Sequence, residues 1–485
     1  MTATLDFPAI ARSSPAGLAM IATRGRYSLP SHLKRLNYEL TEIAAGRNDR
    51  LIVSIAPRHG KTWTTSVFFP AFLLGTAPDD PVGLASYGAN LAEFNSEQAR
   101  AVIRDWGPTL YGVRLDPSMG TRNLWRIAGH RGYCLAAGVG GSWTGFGVKT
   151  LVLDDPFQGY EDANSPVQRE HAHEWYSSVA FTRLEPGGAI VQVATRWHED
   201  DIAGRRIREE GTQDQGGRWR VLNLPAIAEA NDPIGRPVGA ALWPARYDEA
   251  QLLEIKTVLG SYYWDALYRG QPTQPGGAVF KQEWFRYFSE YPDVYELRVP
   301  STGQVRRVPK SICRKGLFVD LAASTKTSAD YFVIGTIAFT PSNDMLVLDI
   351  VRTRVEGPDQ LGLIWAARER SNASFVGLES AGFQLTALQT AIRSGLPAIE
   401  LKADTDKFSR ALTPAARYEA GTVYHRAGAA WLPDFETELM AFRPAGSAHD
   451  DQVDIMGYAA RWLIEQSSQG VATMGTRGRS PGYGL

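Results

Sequence analysis

Leu51-Ile-Val-Ser-Ile-Ala-Pro-Arg-His-Gly-Lys-Thr62 is the stretch whose reading decides the fold. A run of apolar residues enters Gly60-Lys61-Thr62, and a helix-like pattern follows. A buried strand, a tight loop and a helix start would aim backbone N–H groups and the positive end of a helix at an anion. In that arrangement Lys61 reaches the β and γ phosphates of a nucleotide, and the Thr62 hydroxyl ligates Mg²⁺. Ile55 stands where the pattern G-x-x-x-x-G-K-[ST] has its first glycine. On this stretch alone, a plain Gly-Lys-Thr turn therefore remains an alternative.

Working outward, short apolar runs at 51–56, 82–86, 133–137, 150–153 and 189–194 alternate with helix-length segments. That spacing predicts a mainly parallel α/β sheet. Before it, 1–45 reads as an irregular arm and then a helix over His32 to Ala45, ended by Gly46. The run Lys149-Thr-Leu-Val-Leu-Asp154-Asp155-Pro156 delivers two acids at a strand end. In a P-loop ATPase the first, Asp154, holds Mg²⁺ and the second orients the attacking water. Asp155 takes that second role here, with Glu161 as the alternative. Ala189-Ile-Val-Gln-Val-Ala-Thr195 ends in a hydroxyl, which by itself reads equally as a turn or cap.

Pro and Gly punctuation loosens the pattern from about 200 to 300. A second α/β unit then begins near Gly316, with strands expected at 317–321, 331–339, 345–351 and 375–378. Acids stand at the ends of two of these, Asp320 and Glu379. A third group, His449-Asp450-Asp451-Gln-Val-Asp454, opens a helix on which Asp450 and Asp454 share a face and Asp451 points about a third of a turn away. Two carboxylates about 4 Å apart repel by roughly 4 kcal/mol at an effective dielectric of 20. Such a cluster calls for protonation, separation or a cation. Two Mg²⁺ or Mn²⁺ ions held by these oxygens would suit phosphodiester cleavage. Helix capping by Asp450 or Asp451, a solvated Asp454 and a surface ion pair at Glu379 are the plainer alternatives.

With 485 residues, 44% of them apolar and 21% charged, the chain has room for two or three domains. Its formal charge of −1 gives no compositional sign of a nucleic-acid partner. Cys134 and Cys313 form no metal-type or redox-type pair and read as thiols in a reducing compartment. The longest apolar run, Val67 to Leu74, is too short to cross a membrane, and no signal peptide is expected. The reading is cytosolic, with no membrane partner.

Pro57-Arg-His-Gly-Lys-Thr62, Gly140-Gly-Ser-Trp-Thr-Gly145, Leu153-Asp-Asp-Pro156 and Thr195-Arg-Trp-His198-Glu-Asp-Asp-Ile202, in that order, resemble the ATPase half of the terminase large subunits of tailed phages. Val319-Asp320-Leu321-Ala322, Asp330-Tyr331, Leu378-Glu379-Ser380 and His449-Asp-Asp-Gln-Val-Asp454 resemble the RNase H-like nuclease domain of the same family. The resemblance spans roughly residues 30 to 465. With the arm at 1–45 carrying a lid helix, it implies a P-loop ATPase domain at 46–230, a subdomain and linker at 231–310 and a nuclease domain at 311–465; the stretch 466–485, with Gly, Ser, Arg477 and Arg479 but no acid, reads by composition as a flexible basic tail. Pro57, Arg58, His59, Gly60, Lys61, Thr62, Asp154 and Thr195 would then contact ATP, with Thr195 coupling hydrolysis to movement. Asp155 would serve catalysis. Asp320, Glu379 and Asp451 would form the metal core, with Asp450 beside them, Asp330 auxiliary and Lys407 and Arg410 on a basic helix.

The implied partners are double-stranded DNA, a portal protein, a small terminase subunit and further copies in a ring of about five, in a host cytoplasm and transiently at a procapsid. A repair-type ATPase-nuclease and a non-catalytic portal adaptor are the competing readings. The family often has an arginine where this chain has Phe146, so a finger reaching a neighbouring subunit's phosphates would come from elsewhere. Arg122, Arg126 and Arg131 are the candidates.

Overall fold

The computed structural model describes residues 6–143, 145–272, 279–299, 303–321, 331–355, 357–379, 384–401, 406–443 and 450–474. They fall into two compact units. The first comprises the chain up to Glu254 with Tyr262–Thr273, and the second comprises Ile255–Ser261 with Gln274–Gly482.

The first unit is built on β1 (Arg50–Ile55), β2 (Val82–Ser86), β3 (Leu115–Gly120), β4 (Leu124–Ile127), β5 (Tyr133–Gly138), β6 (Val148–Asp154), β7 (Leu184–Ala194) and β8 (Arg220–Leu224). They pair in the order β3-β4-β5-β2-β6-β7-β1-β8. From β5 to β8 all pairings are parallel, and β3 and β4 add an antiparallel edge. β1 is buried at every position, as a strand covered on both faces must be. Because β7 lies between β1 and β6, the segments that follow these three strands emerge side by side. In such sheets ligands collect at the carboxyl ends of the strands.

The arm is more regular than expected. Helices Phe7–Ser13 and Pro15–Ala22 precede the helix Ser31–Ala44. Asp6 and Ser14 cap the two short helices through their side chains, each ahead of a proline in the first turn. Leu18, Leu33, Leu36 and Leu40 pack into the same core as β1.

The second sheet contains β9 (Arg286–Glu290), β10 (Val294–Arg298), β11 (Val305–Pro309), β12 (Arg314–Asp320), β13 (Phe332–Phe339), β14 (Met345–Thr353), β15 (Phe375–Glu379), β16 (Ala398–Leu401) and β17 (Val423–Arg426). Their order is β11-β10-β9-β17-β14-β13-β12-β15-β16. β14, β13 and β12 form an antiparallel meander, and β15 and β16 follow β12 in parallel. This is the mixed sheet of an RNase H-like fold, so the two expected α/β classes are both present.

Two boundaries differ from the sequence reading. Residues 231–254 belong to the first unit, where Leu242 joins its core, and β9–β11 extend the second sheet. The Pro/Gly punctuation at 231–235 marks a local turn, in which Asp232 accepts from the backbone of Ile234 and Arg236, and not a domain boundary. The expected tail from 466 begins inside a helix, Asp451–Met474. A helix already packed on β12 and β13 propagates through Ser and Gly at a cost of up to about 1 kcal/mol per residue. No helix among the described residues is long and apolar enough to cross a membrane.

Candidate functional site

Each unit carries one candidate site. In the first, β1 ends at Ile55 and the chain turns through Arg58 (φ 60°) and Gly60 (φ 85°) into a π-helical segment, Trp63–Phe68. A Cβ on Gly60 would stand 3.0 Å from Leu33 Cδ1 in an already strained conformation, so glycine is required there on two counts. Lys61 is buried. Its ammonium donates to the Ile55 carbonyl at 3.3 Å and to the Thr195 hydroxyl, and lies 3.5 Å from Asp155 Oδ1. Thr195 follows β7, so the strand order alone brings this hydroxyl to Lys61.

Asp155 has φ 44°, an uncommon value for a residue with a side chain. It is held there by its N–H to Val193 O at 2.9 Å, its carbonyl on Tyr87 N at 3.0 Å and its Oδ1 on Thr195 N at 2.7 Å. Asp154 is buried, and its Oδ2 accepts from the Ser66 hydroxyl at 2.7 Å. Its Oδ1 has no hydrogen-bond partner. Burial pushes the Asp154 carboxyl up to about 7, with Asp155 adding to the rise and Ser66 and Lys61 opposing it. A buried carboxylate oxygen left free beside hydroxyls is the donor set a hard divalent ion takes.

A cavity of about 580 Å³ opens over these groups and is lined by Pro57, Arg58, Gly60, Lys61, Thr62, Asp155 and Thr195. Tyr27 and Ser28 from the arm and Trp243 and Arg246 from beyond β8 are also part of the wall. Sequence reasoning missed these last four because nothing in their spacing ties them to the phosphate loop. Ser66 was missed too, although it lies one turn past Thr62.

The His59 side chain does not line the cavity but is fully buried, with Nδ1 on the Pro57 carbonyl at 2.9 Å and its own carbonyl bonded to His32 Nε2 at 2.9 Å. The left-handed turn at Arg58 and Gly60 directs the intervening ring inward. Asp155 lines the cavity and Glu161 does not. Phe146 packs edge-on against Tyr133, with ring centroids 5.6 Å apart.

In the second unit, β12 ends at Asp320 and its parallel neighbour β15 at Glu379, in the register Val319↔Leu378. The two acids therefore leave adjacent strands at the same level. Asp451 opens the helix packed on this sheet and accepts from Tyr331 N at 3.3 Å. The Asp320 carboxyl is raised well above its ordinary value by burial, then by Asp454, Asp451 and Glu379, with Lys407 opposing. Asp454 is thus the strongest charged neighbour of Asp320, and it is buried rather than solvated. The sequence reading quoted Asp454 without placing it among the ligands.

The cluster is compensated from the helix Lys407–Glu419. Arg410 meets Asp454 Oδ1 at 2.8 Å through Nη2 and at 3.0 Å through Nε, and Lys407 lies 2.7 Å from Asp450 and 3.7 Å from Asp454. The shared face of Asp450 and Asp454 is visible in this common lysine. Tyr458 donates to Glu379 Oε2 at 2.6 Å.

Among the described residues no three acidic, His or Cys side chains converge closely enough to hold a metal between them. Asp450 is taken by Lys407 and Glu379 by Tyr458, because partners of opposite charge or with a hydroxyl relieve the mutual repulsion of the acids. The oxygen-rich environment of Asp320 still suits a hard divalent cation. Asp330, His449, Ala322 and Ser380 lie outside the described residues.

Residues 52–287 match the family described as terminase large subunit, T4likevirus-type, N-terminal. The structure is similar to the large terminase of the thermophilic bacteriophage D6E in one crystal form, with 11% identity over 88% of this chain and 98% of that one and a TM-score of 0.51. A further form of that protein, in complex with ADP, gives 11% identity over 88% and 99% of the two chains and a TM-score of 0.48. The large terminase nuclease of the thermophilic phage G20c with bound magnesium aligns with 39% of this chain and 98% of its own, at 15% identity and a TM-score of 0.28. No curated protein matches the chain.

Proposed function

The chain belongs to the terminase large-subunit family, and from that premise we propose that ATP hydrolysis in its first unit drives double-stranded viral DNA into a procapsid while its second unit cuts the DNA concatemer. The observation that carries this reading is the convergence of Lys61, Asp155 and Thr195 over buried Asp154, at the ends of three adjacent strands.

Lys61 would exchange its present partners for the β and γ phosphates, and the backbone of 57–62 would cradle them. Thr62 and Asp154 would hold Mg²⁺, which when bound neutralises phosphate charge. Asp155, fixed by the Thr195 N–H, would orient the attacking water. Release of the Lys61 contact would free the Thr195 hydroxyl, giving β7 a means of reporting phosphate occupancy. In the second unit Asp320, Glu379 and Asp451 would hold Mg²⁺ or Mn²⁺, which supplies an activated water and a stabilised leaving oxygen. Portal protein, a small terminase subunit and a ring of about five copies are the partners this reading implies, in the host cytoplasm.

Of the competing readings, a repair-type helicase would need a second motor sheet, and the second sheet among the described residues is of another kind. An inert adaptor would have no use for a buried lysine under a cavity. The test is a double dissociation on the full chain. Lys61→Ala should lower ATP turnover by at least about 10³ and leave Mn²⁺-dependent plasmid nicking intact, and Asp320→Ala should do the reverse. Unchanged ATPase in Lys61→Ala would end the first assignment, and unchanged nicking in Asp320→Ala the second.

A further inference from the structure

The acid-rich end of the second sheet also carries two cations that this chemistry leaves unused. Tyr331 directly precedes β13, and Arg352 and Arg354 stand at the end of β14, which pairs there through Phe332↔Thr353. The Arg352 guanidinium carbon lies 3.8 Å from the Tyr331 ring centroid and that of Arg354 lies 4.3 Å from it. Since the N–H of the same tyrosine donates to Asp451, ring and cations stand beside the acid cluster.

Their charge is poorly matched within the chain. Arg352 has Glu438 at 3.3 Å, but that carboxylate also accepts from the backbone and side-chain amides of Gln452. Arg352 Nε is buried with no hydrogen-bond partner. Arg354 is exposed and, among the described residues, has no carboxylate partner. Two guanidinium groups on one ring repel each other, and the ring face offsets only part of that. An anion with paired oxygens, presented to planar forks of N–H donors, offsets the rest.

We propose that Arg352, Tyr331 and Arg354 form a clamp for a DNA backbone phosphate next to the scissile one, a positioning element for strand cleavage. The clamp rests on the nuclease reading for its purpose, yet its binding can be measured without cleavage. It contacts phosphate only, so it contributes affinity and register without reading sequence.

The experiment uses the full chain. Binding to a short fluorescein-labelled duplex is followed by anisotropy in EDTA across a salt series, and Mn²⁺-dependent plasmid cleavage is followed across DNA concentrations. Arg354→Ala should raise the cleavage KM about tenfold, leave kcat within about twofold, and make the salt slope shallower by about one. Arg354→Lys should recover the slope but only part of the KM, because a point charge lacks the fork. Tyr331→Leu should share the loss and Tyr331→Phe should restore most of it. An unchanged KM and slope in Arg354→Ala, or a fall in kcat alone, overturns the clamp. Cleavage that survives Asp320→Asn overturns the nuclease reading instead, while the anisotropy series still reports on the clamp.

Discussion

The cavity of the first unit is built from one short stretch, 57–62, with residues that follow two neighbouring strands, whereas the acid site of the second unit draws on 320, 379, 407–410 and 450–458. The charge plans differ as well. Arg58, Lys61 and Arg246 face the first site with Asp155, and Lys407 and Arg410 serve a larger group of acids in the second. A site with excess cations is prepared for a polyanion, and one with excess acids for metal ions. The contrast also concerns completeness. The second site carries its compensating cations on its own helix, while in the first the position where the family often has an arginine is Phe146, packed on Tyr133.

The largest expected effect tests that contrast. Arg126 lies on β4 and Arg122 and Arg131 beside it, and β4 is separated from β1 by four strands. At about 4.8 Å per strand the gap is roughly 24 Å, too far for any of them to reach the chain's own phosphates. A finger from this edge would therefore have to act on a neighbouring copy. Assembly with portal and DNA should accelerate ATP turnover by roughly 10³ to 10⁵ and leave nicking nearly unchanged. Replacing the responsible arginine by Ala, with Arg126 and Arg131 the first to try, should lower the assembled rate and spare the free rate. Arg246→Ala should lower both, since that residue lines the chain's own cavity. Equal turnover in dilute monomer and in assembled rings would show that the first site is as self-sufficient as the second.

A smaller effect separates the two ion pairs by burial. Arg410 and Asp454 are 11% and 8% exposed in their side chains, so Arg410→Ala leaves a buried carboxylate with only the more distant Lys407 and should destabilise by about 3–5 kcal/mol in urea denaturation. The double substitution Arg410→Met with Asp454→Leu should cost far less, because no lone charge is left. Lys61 faces an Asp155 that is 28% exposed, and Lys61→Met should cost only about 1 kcal/mol. Similar losses for Arg410→Ala and Lys61→Met would mean that burial does not distinguish the two pairs.

The contrast also explains what could be read in advance. β1, β2, β5, β6 and β7 were legible because they are buried apolar runs, and Lys61, Asp154 and Asp155 because strand ends and a short loop place them. β9, β10 and β11 were not, since Arg286-Tyr-Phe-Ser-Glu290, Val294-Tyr-Glu-Leu-Arg298 and Val305-Arg-Arg-Val-Pro309 bury only one or two positions each and carry charged residues among the others. Asp320 and Glu379 could be marked as strand-end acids, but their adjacency follows from β12 pairing β15 across 59 residues. The role of Asp454 depends on Arg410 and Asp320 approaching from other elements. Trp243 and Arg246 carry no local signal, because only the folded wall brings them to the loop. The inward turn of the His59 ring follows from two left-handed residues that no periodicity reveals.

The smallest expected effect concerns that inward turn. His32 is fully buried, its Nε2–H donates to the His59 carbonyl, and its ring centroid lies 5.4 Å from that of Trp243. Burial pushes its pKa down to about 4, the His59 carbonyl opposing in part. The unfolded chain, with an ordinary histidine near 6.5, therefore binds more protons than the folded one between pH 6.5 and 4. Stability must then rise with pH across that window, being fully present above about 6.5 and lost as pH falls toward 4. Integrated from pH 7 to 5, the loss from this one ring is about 2 kcal/mol. His32→Gln keeps a donor for the His59 carbonyl and has nothing to titrate, so its denaturation midpoint should fall less between those two pH values than that of the wild type. If wild type and His32→Gln lose the same stability between pH 7 and 5, the ring is already protonated in the fold, and His59 is not held by a neutral donor.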